Sequence, residues 1–480
     1  MTALYSVILA GGLGSRLWPL SREVQPKQMF KAHSDNTLFQ NTFLRLAGIA
    51  DDKNIITSTN VKHLSEIKEQ LKQLQEKFCR EIPYKVVTEP EIKNTAPALA
   101  MAVKYIQNIK TFSTESPVII SVPSDHIIPD REVFVSIIEK GINLAKNGYI
   151  VSFSTLTDMT DNTFGYIKTR KNAKLEEIEP SALKVSAFLE KPSKKDMAKT
   201  LKGKYYVNTG IYMYTAETFM SELKKHAKDI YKIINKENVG DSIPSVELSA
   251  YEEMPDISID NALMEKTSKL VTVPFETYWK DIGSWDAIYE ISDKDENGNL
   301  LKGNVVDVDS ENSLVYSNSK LVATLGLKNK IVVETEDALL VCNRENSDSV
   351  QKIYKKLDGK NAELKRIHKT AYRPWGCYTV LEEGDGFLTK CITVNPNAKL
   401  SLQKHFHRSE HWIVLEGDAT VVKGEETLLL HPGESIDIGV DEVHSLQNFG
   451  KEQVKILEVQ QGNILDENDI VRLQDMYGRV

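Results

Sequence analysis

The sequence predicts a chain in three parts: an α/β domain with a largely parallel sheet, a short β-solenoid-like connector and a C-terminal all-β domain. From Tyr5 to about Trp285, short β-branched runs alternate with helical periods, as strands separated by crossover helices do. From Asn304 to Cys342 the helical periods stop and short apolar pieces recur between polar turns. From Arg373 onward strands and turns are dense, with Gly at 376, 384, 386, 417, 424, 433 and 439.

Taken in order, residues 5–9 form an apolar strand that runs into a glycine loop. Leu38, Phe43, Leu44 and Ala47 mark one helix, and Ile67, Leu71, Leu74 and Phe78 a second, at spacings of three and four. Residues 117–122 read as a buried central strand ending in Pro-Ser-Asp-His, and a helix over 133–145 stops at Gly148 before a strand over 149–153. Val305-Val306, Leu314-Val315-Tyr316, Ile331-Val332-Val333 and Leu339-Leu340-Val341 are the strands of the connector. A charged helical linker over about 349–369 leads into the last domain. Boundaries are expected at 1–290, 291–345, 346–370 and 371–480.

Of the 480 residues 41% are hydrophobic and 27% charged, which supplies more than one core and excludes wholesale disorder. Sixty basic against 68 acidic residues leave a net charge of −8, with no basic face for nucleic acid. No apolar run approaches the ~20 residues that span a bilayer, and residues 4–10 lack the basic lead of a signal peptide. Cys79, Cys342, Cys377 and Cys391 form no CxxC pair, against a zinc ribbon or disulfide framework. The expectation is a cytoplasmic protein without nucleic-acid or membrane partners, with a homo-oligomer left open.

Ala10-Gly11-Gly12-Leu13-Gly14-Ser15-Arg16-Leu17 has the make-up of a phosphate cradle, since glycines let backbone N–H groups approach an anion and Arg16 adds charge. The dinucleotide pattern GxGxxG fails at Leu17 and the Lys-Ser/Thr of a P-loop is missing, so a plain glycine turn is the alternative for the loop alone. In order there follow Pro26-Lys27-Gln28, Asn94-Thr95-Ala96-Pro97, Pro123-Ser124-Asp125-His126, Phe164-Gly165-Tyr166, Leu189-Glu190-Lys191-Pro192, Ser258-Ile259-Asp260 and Trp279-Lys280-Asp281-Ile282-Gly283-Ser284-Trp285. On these motifs residues 1–290 resemble the sugar-nucleotide pyrophosphorylases, in particular the bacterial mannose-1-phosphate guanylyltransferases.

That resemblance implies a Rossmann-like, glycosyltransferase-A-like fold and attack of mannose 1-phosphate on the α-phosphorus of GTP, giving GDP-mannose and pyrophosphate. It implies nucleotide binding by Gly11, Gly12, Gly14, Ser15, Arg16, Lys27 and Asn94, with Arg16 and Lys27 catalytic and Asp125 and Asp281 on Mg2+. Each Asp follows an apolar or aromatic run, where Asp also caps helices. Gly165, Glu190, Lys191, Asn208, Thr209, Gly210 and Asp260 are implied for the sugar. Val207-Asn208-Thr209-Gly210 departs in two letters from the family's usual Trp-Asn-Ser-Gly.

Five of the ten histidines, His405, His407, His411, His431 and His444, fall in the last domain. Gln403 and His405 share a strand face, because side chains two apart point together. With Glu410 and His444 they resemble the two cupin motifs. Tyr372-Arg373-Pro374-Trp375-Gly376, His407-Arg408-Ser409-Glu410-His411-Trp412, Glu458-Val459-Gln460 and Tyr477-Gly478-Arg479 look like the type II phosphomannose isomerase module. The resemblance implies a cupin β-barrel holding Zn2+ or another divalent transition metal on Gln403, His405, Glu410 and His444. It also implies interconversion of mannose 6-phosphate and fructose 6-phosphate. A rival register pairs His405 with His407. Arg408, with a catalytic role, and Arg472 are candidate phosphate partners, and His411 and Lys404 candidate bases. The alternative function is a single-activity sugar-1-phosphate nucleotidyltransferase whose cupin only senses or oligomerises.

Overall fold

Strand β1 (Leu4–Leu9) is buried because parallel neighbours flank it, β2 (Ile55–Asn60) on one side and β4 (Val118–Pro123) on the other. The computed structural model describes residues 4–32, 34–109, 116–156, 164–193, 205–236, 248–465 and 469–474. With β3 (Val86–Glu89), β6 (Ile150–Leu156), β7 (Gly165–Arg170), β8 (Leu183–Glu190), β9 (Tyr206–Thr215) and β10 (Leu270–Phe275), these strands form one sheet in the order β3-β2-β1-β4-β9-β6-β10-β8-β7. The sheet is mixed rather than largely parallel. Between β6 and β10 the chain passes through the antiparallel β7–β8 pair and β9 before the helices Ala216–His226 and Lys228–Lys236, and β8 and β9 run against their neighbours.

Side chains alternate across the sheet as the period of two requires. Val7 and Ile119 join the core built on helix Thr95–Asn108, while Ile8 and Ile120 face the core of helices Leu38–Leu46, Leu64–Phe78 and Arg131–Lys146. Thr37 and Gln40 start the first of these helices with a reciprocal capping box. The short strands β5 (His126–Ile127) and β11 (Lys280–Asp281) pair antiparallel, which sets Asp281 opposite His126.

In the connector β12 (Leu300–Lys302), β14 (Leu314–Ser317) and β16 (Lys330–Thr335) stack in parallel, as do β13 (Val305–Val308) and β15 (Val322–Leu325), the coils of a short β-solenoid; β17 (Ala338–Asn343) extends the first stack. The helical linker is broken: a helix Val350–Lys356 is followed by a turn with Gly359 at a left-handed φ of 53°, then by Glu363–Arg366. One compact unit holds the chain up to Glu334 with Leu339–Leu357, and the other Thr335–Ala338 with the chain from Asp358.

The second unit carries β18 (Thr370–Arg373), β19 (Gly376–Gly384), β20 (Phe387–Val394), β21 (Leu402–His405), β22 (Arg408–Glu416), β23 (Ala419–Lys423), β24 (Glu426–Leu430), β25 (Ser435–Ile438), β26 (His444–Gln447), β27 (Val454–Gly462) and β28 (Ile470–Gln474). They form sheets of six and five strands, ordered β18-β19-β20-β27-β22-β25 and β24-β23-β26-β21-β28. Every second residue of β22 from Arg408 to Val414 is buried, the signature of a strand with one face turned into a barrel. Among the described residues no helix is long and apolar enough to cross a membrane.

Candidate functional sites

The glycine loop leaves the C-terminal end of β1, the end at which open α/β sheets hold their ligands. Gln28 Nε2 and Thr59 Oγ1 anchor it by donating to the Ala10 carbonyl at 2.8 and 2.9 Å. Gly14 takes a φ of 70°, and a Cβ there would lie 2.6 Å from the Lys27 Cβ, so only glycine lets the lysine stem pass against the loop. Ser15 opens the single turn that carries Arg16.

The Lys27 ammonium ends between two carboxylates. It pairs with Asp125, lies 3.5 Å from Asp281 Oδ1 and donates to the Ile282 carbonyl at 3.1 Å. Burial works to raise the Asp125 carboxyl, but Lys27 and His126 outweigh it and hold the group down at about 2. Burial likewise works against the Lys27 charge, and Asp125 and Asp281 reverse that and push it up. Arg16 and Asp281 converge on Gly283, where a Cβ would meet Arg16 Nη2 at 3.2 Å and Asp281 Oδ2 at 3.3 Å. Neither aspartate caps a helix; Asp130 and Ser284 cap the helices that follow. Asp281 Oδ1 is buried without a hydrogen-bond partner, and two carboxylates converging on such an atom are the donor set of a hard divalent cation.

On the sugar side Asn208 Nδ2 donates to Asp260 Oδ1 at 3.1 Å and to the Tyr212 hydroxyl at 2.7 Å, and Tyr212 donates to Asp260. Glu190 reaches the same place: a Cβ on Gly165 would lie 2.6 Å from its Oε2 and 3.4 Å from the Asn208 Cβ. Burial and then Asp260 push the Glu190 carboxyl up to about 6, against the Lys191 ammonium 3.3 Å away. Gly210, at a φ of 70°, donates its N–H to Asn208 Oδ1 at 3.3 Å. Thr209 is not brought to this cluster, because its hydroxyl turns into the sheet and donates to the Phe153 carbonyl at 2.5 Å.

Asn94 is exposed and caps its own helix, accepting the Thr95 N–H at 3.0 Å, so its carbonyl oxygen is spent on backbone. A buried carboxyl next to the loop is Glu89, which the motifs did not single out. Its Oε1 lies 3.4 Å from where a Gly11 Cβ would stand and its Oε2 accepts the Tyr251 hydroxyl at 2.5 Å. Burial pushes this carboxyl up to about 7.

In the barrel, Gln403, His405, Glu410 and His444 are all buried, with Gln403 opposite His444 in adjacent strands. His405 Nε2 lies 3.1 Å from Glu410 Oε1 and His444 Nε2 3.6 Å from Glu410 Oε2. His444 Nδ1 is 2.8 Å from the Glu442 carbonyl, which fixes the proton on Nδ1 and leaves Nε2 bare, buried and without a hydrogen-bond partner. Two imidazoles and a carboxylate with such an orphan nitrogen fit a divalent metal. His407 belongs elsewhere: about half exposed, it pairs with Asp469 at 2.6 Å, and Asp469 also accepts the Phe406 and His407 N–H groups.

Arg408 is buried and donates to Glu410 Oε1 at 3.1 Å, and with Arg373, Lys390 and Arg472 it lines the barrel cavity. Neither candidate base points into that cavity. His411 pairs with Asp437 and Lys404 with Asp441, each on the strand face opposite to the ligands. Besides Glu410, a second carboxyl lines it: Glu458, which accepts Trp412 Nε1 at 3.0 Å and Gln460 Nε2 at 2.7 Å. Burial and the neighbouring Glu410 push Glu458 up to about 8, whereas the two histidines and Arg408 hold Glu410 well below the carboxylate range against its burial. Tyr477, Gly478 and Arg479 lie outside the described residues.

Three family models match the chain: "Nucleotidyl transferase" over residues 5–298, "MannoseP isomerase/GMP-like beta-helix domain" over 303–357 and "Mannose-6-phosphate isomerase C-terminal" over 360–475. The alginate biosynthesis protein AlgA of Pseudomonas aeruginosa is 39% identical over 479 residues, covering 98% of this chain and 97% of that protein. The mannose-1-phosphate guanylyltransferase of Escherichia coli is 37% identical, over 99% of each chain, and the xanthan biosynthesis protein XanB of Xanthomonas campestris pv. campestris 37%, over 100% of each. A solved structure from Thermus thermophilus, described as a mannose-1-phosphate geranyltransferase, covers 74% of this chain and 99% of its own at 24% identity and a TM-score of 0.62, a likeness of fold.

Proposed function

The chain belongs to the nucleotidyl transferase family, among mannose-1-phosphate guanylyltransferases that carry a mannose-6-phosphate isomerase C-terminal domain, and on that premise we propose that it catalyses both reactions. In the first, GTP and mannose 1-phosphate give GDP-mannose and pyrophosphate. In the second, mannose 6-phosphate and fructose 6-phosphate interconvert.

The observation that carries the transferase reading is Lys27 seated between Asp125 and Asp281 beside the glycine loop. Transfer needs two polyanions aligned and their growing charge neutralised, with no covalent enzyme nucleophile. Loop N–H groups, Arg16 and Lys27 supply fixed positive potential, while Glu190 and Asp260 offer acceptors for sugar hydroxyls and Asn208 holds Asp260 in place. Asp125 and Asp281 would hold Mg2+, which when bound neutralises phosphate charge. For the base we assign Glu89: an ionised carboxylate there accepts the N1–H and N2–H2 donors of guanine, an edge adenine does not present.

For the isomerase, Gln403, His405, Glu410 and His444 would hold Zn2+ or a similar cation, which when bound polarises the sugar carbonyl. Glu458, on the cavity wall with its carboxyl pushed up by burial and by Glu410, carries the proton between C1 and C2. Arg408 and Arg472 supply the cationic lining for the substrate's phosphate. The test is pyrophosphate release across GTP, ATP, UTP and CTP with mannose, glucose and galactose 1-phosphates, and separately fructose 6-phosphate formation from mannose 6-phosphate. GTP with mannose 1-phosphate should give the highest kcat/KM; a higher value for another pair overturns the substrate assignment.

A further inference from the structure

His126 looks like a third metal ligand. It is buried beside Asp125, directly opposite Asp281 in the β5–β11 pair, and a ring nitrogen lies within 4.8 Å of oxygens from both carboxylates. Its hydrogen bonding says otherwise. The Trp279 indole N–H, which can only donate, points at His126 Nδ1 from 3.3 Å. Nδ1 must therefore be the bare nitrogen, and in the neutral ring the proton sits on Nε2. Nε2 is the nitrogen that faces the site, 3.9 Å from Asp125 Oδ1. This is the mirror image of His444, whose Nδ1 faces the Glu442 carbonyl and whose Nε2 lone pair is left open.

From this juxtaposition we infer that His126 is a positioning residue and not a metal ligand: Trp279 fixes its tautomer so that Nε2–H is offered to the Asp125 carboxylate. The inference rests on the transferase reading of this site and adds to it a tie to the sugar side. Trp279 meets the His126 ring edge-on at a centroid distance of 5.2 Å and Phe164 at 5.5 Å, and it packs against the Tyr166, Tyr205 and Val207 cluster, whose first and last members adjoin Gly165 and Asn208. Arg45 holds the other end of the residue, donating to the His126 carbonyl at 2.9 Å. One indole thus fixes both the imidazole that aims Asp125 and a wall next to the sugar cluster. Asp125 is then gripped from two sides, by Lys27 on one oxygen and by an imidazole N–H facing the other.

Two measurements on the full chain decide it. In protein labelled with 15N-histidine, with the His126 signals identified by their loss in His126→Gln, Nε2 should be protonated and Nδ1 bare, and both should remain so when Mg2+ and GTP are added. Loss of the Nε2 proton on adding Mg2+ overturns the inference. Trp279→Phe keeps the ring and removes the N–H. If His126 positions Asp125, the variant should need roughly 10- to 100-fold more Mg2+ for half-maximal transfer, the usual cost of losing a group that orients a metal ligand. If His126 were a ligand, removing an N–H aimed at the nitrogen that must then carry its proton would leave the Mg2+ requirement unchanged or lower it, and that result overturns the inference. The nitrogen measurement requires no turnover and stands even if Trp279→Phe does not fold. Failure of the transferase reading would show separately, as wild-type protein that releases no pyrophosphate.

Discussion

The two sites solve one electrostatic problem with opposite architectures. At the transferase site the groups come from loops and strand ends between residues 10 and 283, mostly buried, and the central charge is an ammonium flanked by carboxylates. In the barrel they come from strands between residues 403 and 460, buried, and the central charge is the Glu410 carboxylate flanked by His405, His444 and Arg408. Both keep one acid firmly ionised beside acids that burial raises: Asp125 with Glu89 and Glu190 in the first, Glu410 with Glu458 in the second. Burial sets the raised acids, and neighbouring cations rescue the ionised ones.

If the sites are separate in function, breaking one should spare the other. Asp125→Asn and Asp281→Asn should each lower transfer about 1000-fold at limiting Mg2+, since each removes charge stabilisation where phosphate charge grows, while isomerase turnover stays near wild type. A matching loss of isomerase activity would show that the sites are coupled. Next in size, His405→Ala and His444→Ala should lose bound metal and at least about 100-fold of isomerase activity, with transfer retained. His407→Ala should keep its metal, because that ring is bonded to Asp469 on the outside. Metal analysis that found His407→Ala empty and Gln403→Ala full would restore the rival register.

Glu458→Gln sharpens the comparison between raised acids. It should lower isomerase kcat about 100-fold, the scale of a lost proton-transfer group, with metal content unchanged. Unchanged kcat would remove Glu458 from the chemistry.

How much of this was readable in advance follows from where each signal is stored. Asp125 and Asp281 could be named because each sits in a contiguous motif at the end of a strand. Gln403 and His405 could be named because a period of two puts them on one face, and Glu410 because the spacing of the resembled cupin motif places it; in the structure Lys404 and His411 lie one residue off the buried faces of their strands. Glu458-Val459-Gln460 also carried a signal, two polar residues alternating around an apolar one on a strand whose polar face turns inward. Glu89 carried none: a carboxyl at the end of a strand is ordinary until Tyr251, 162 residues later, closes over it. Asn94 as a base contact rests on the family resemblance alone, and a polar residue just ahead of a helix is also what a cap looks like. The sheet read as parallel because strand polarity is decided by how β7 and β8 connect, and hydrophobic runs do not encode direction.

The smallest effect is also the most specific. Glu89→Gln should reduce the preference for GTP over ATP by about 10-fold, the worth of a charge-assisted hydrogen bond to one substrate edge. Wild-type KM for GTP should rise as pH falls through 7, where Glu89 takes up its proton and stops accepting from both guanine donors; the variant should be flat there. Stability should move the other way. An unfolded Glu gives up its proton near 4.5 and the folded one near 7, so the unfolded state gains ground across that window. The residue therefore costs nothing below about pH 4 and roughly 3 kcal/mol at pH 8. Glutamine cannot ionise and still accepts the Tyr251 hydroxyl, so the variant should unfold at a higher temperature than wild type at pH 8, with the gap closing towards pH 5. A variant less selective and more stable identifies Glu89 as an acid kept in the core for its substrate. A variant less stable at pH 8 identifies it as structural, and the guanine-edge assignment falls.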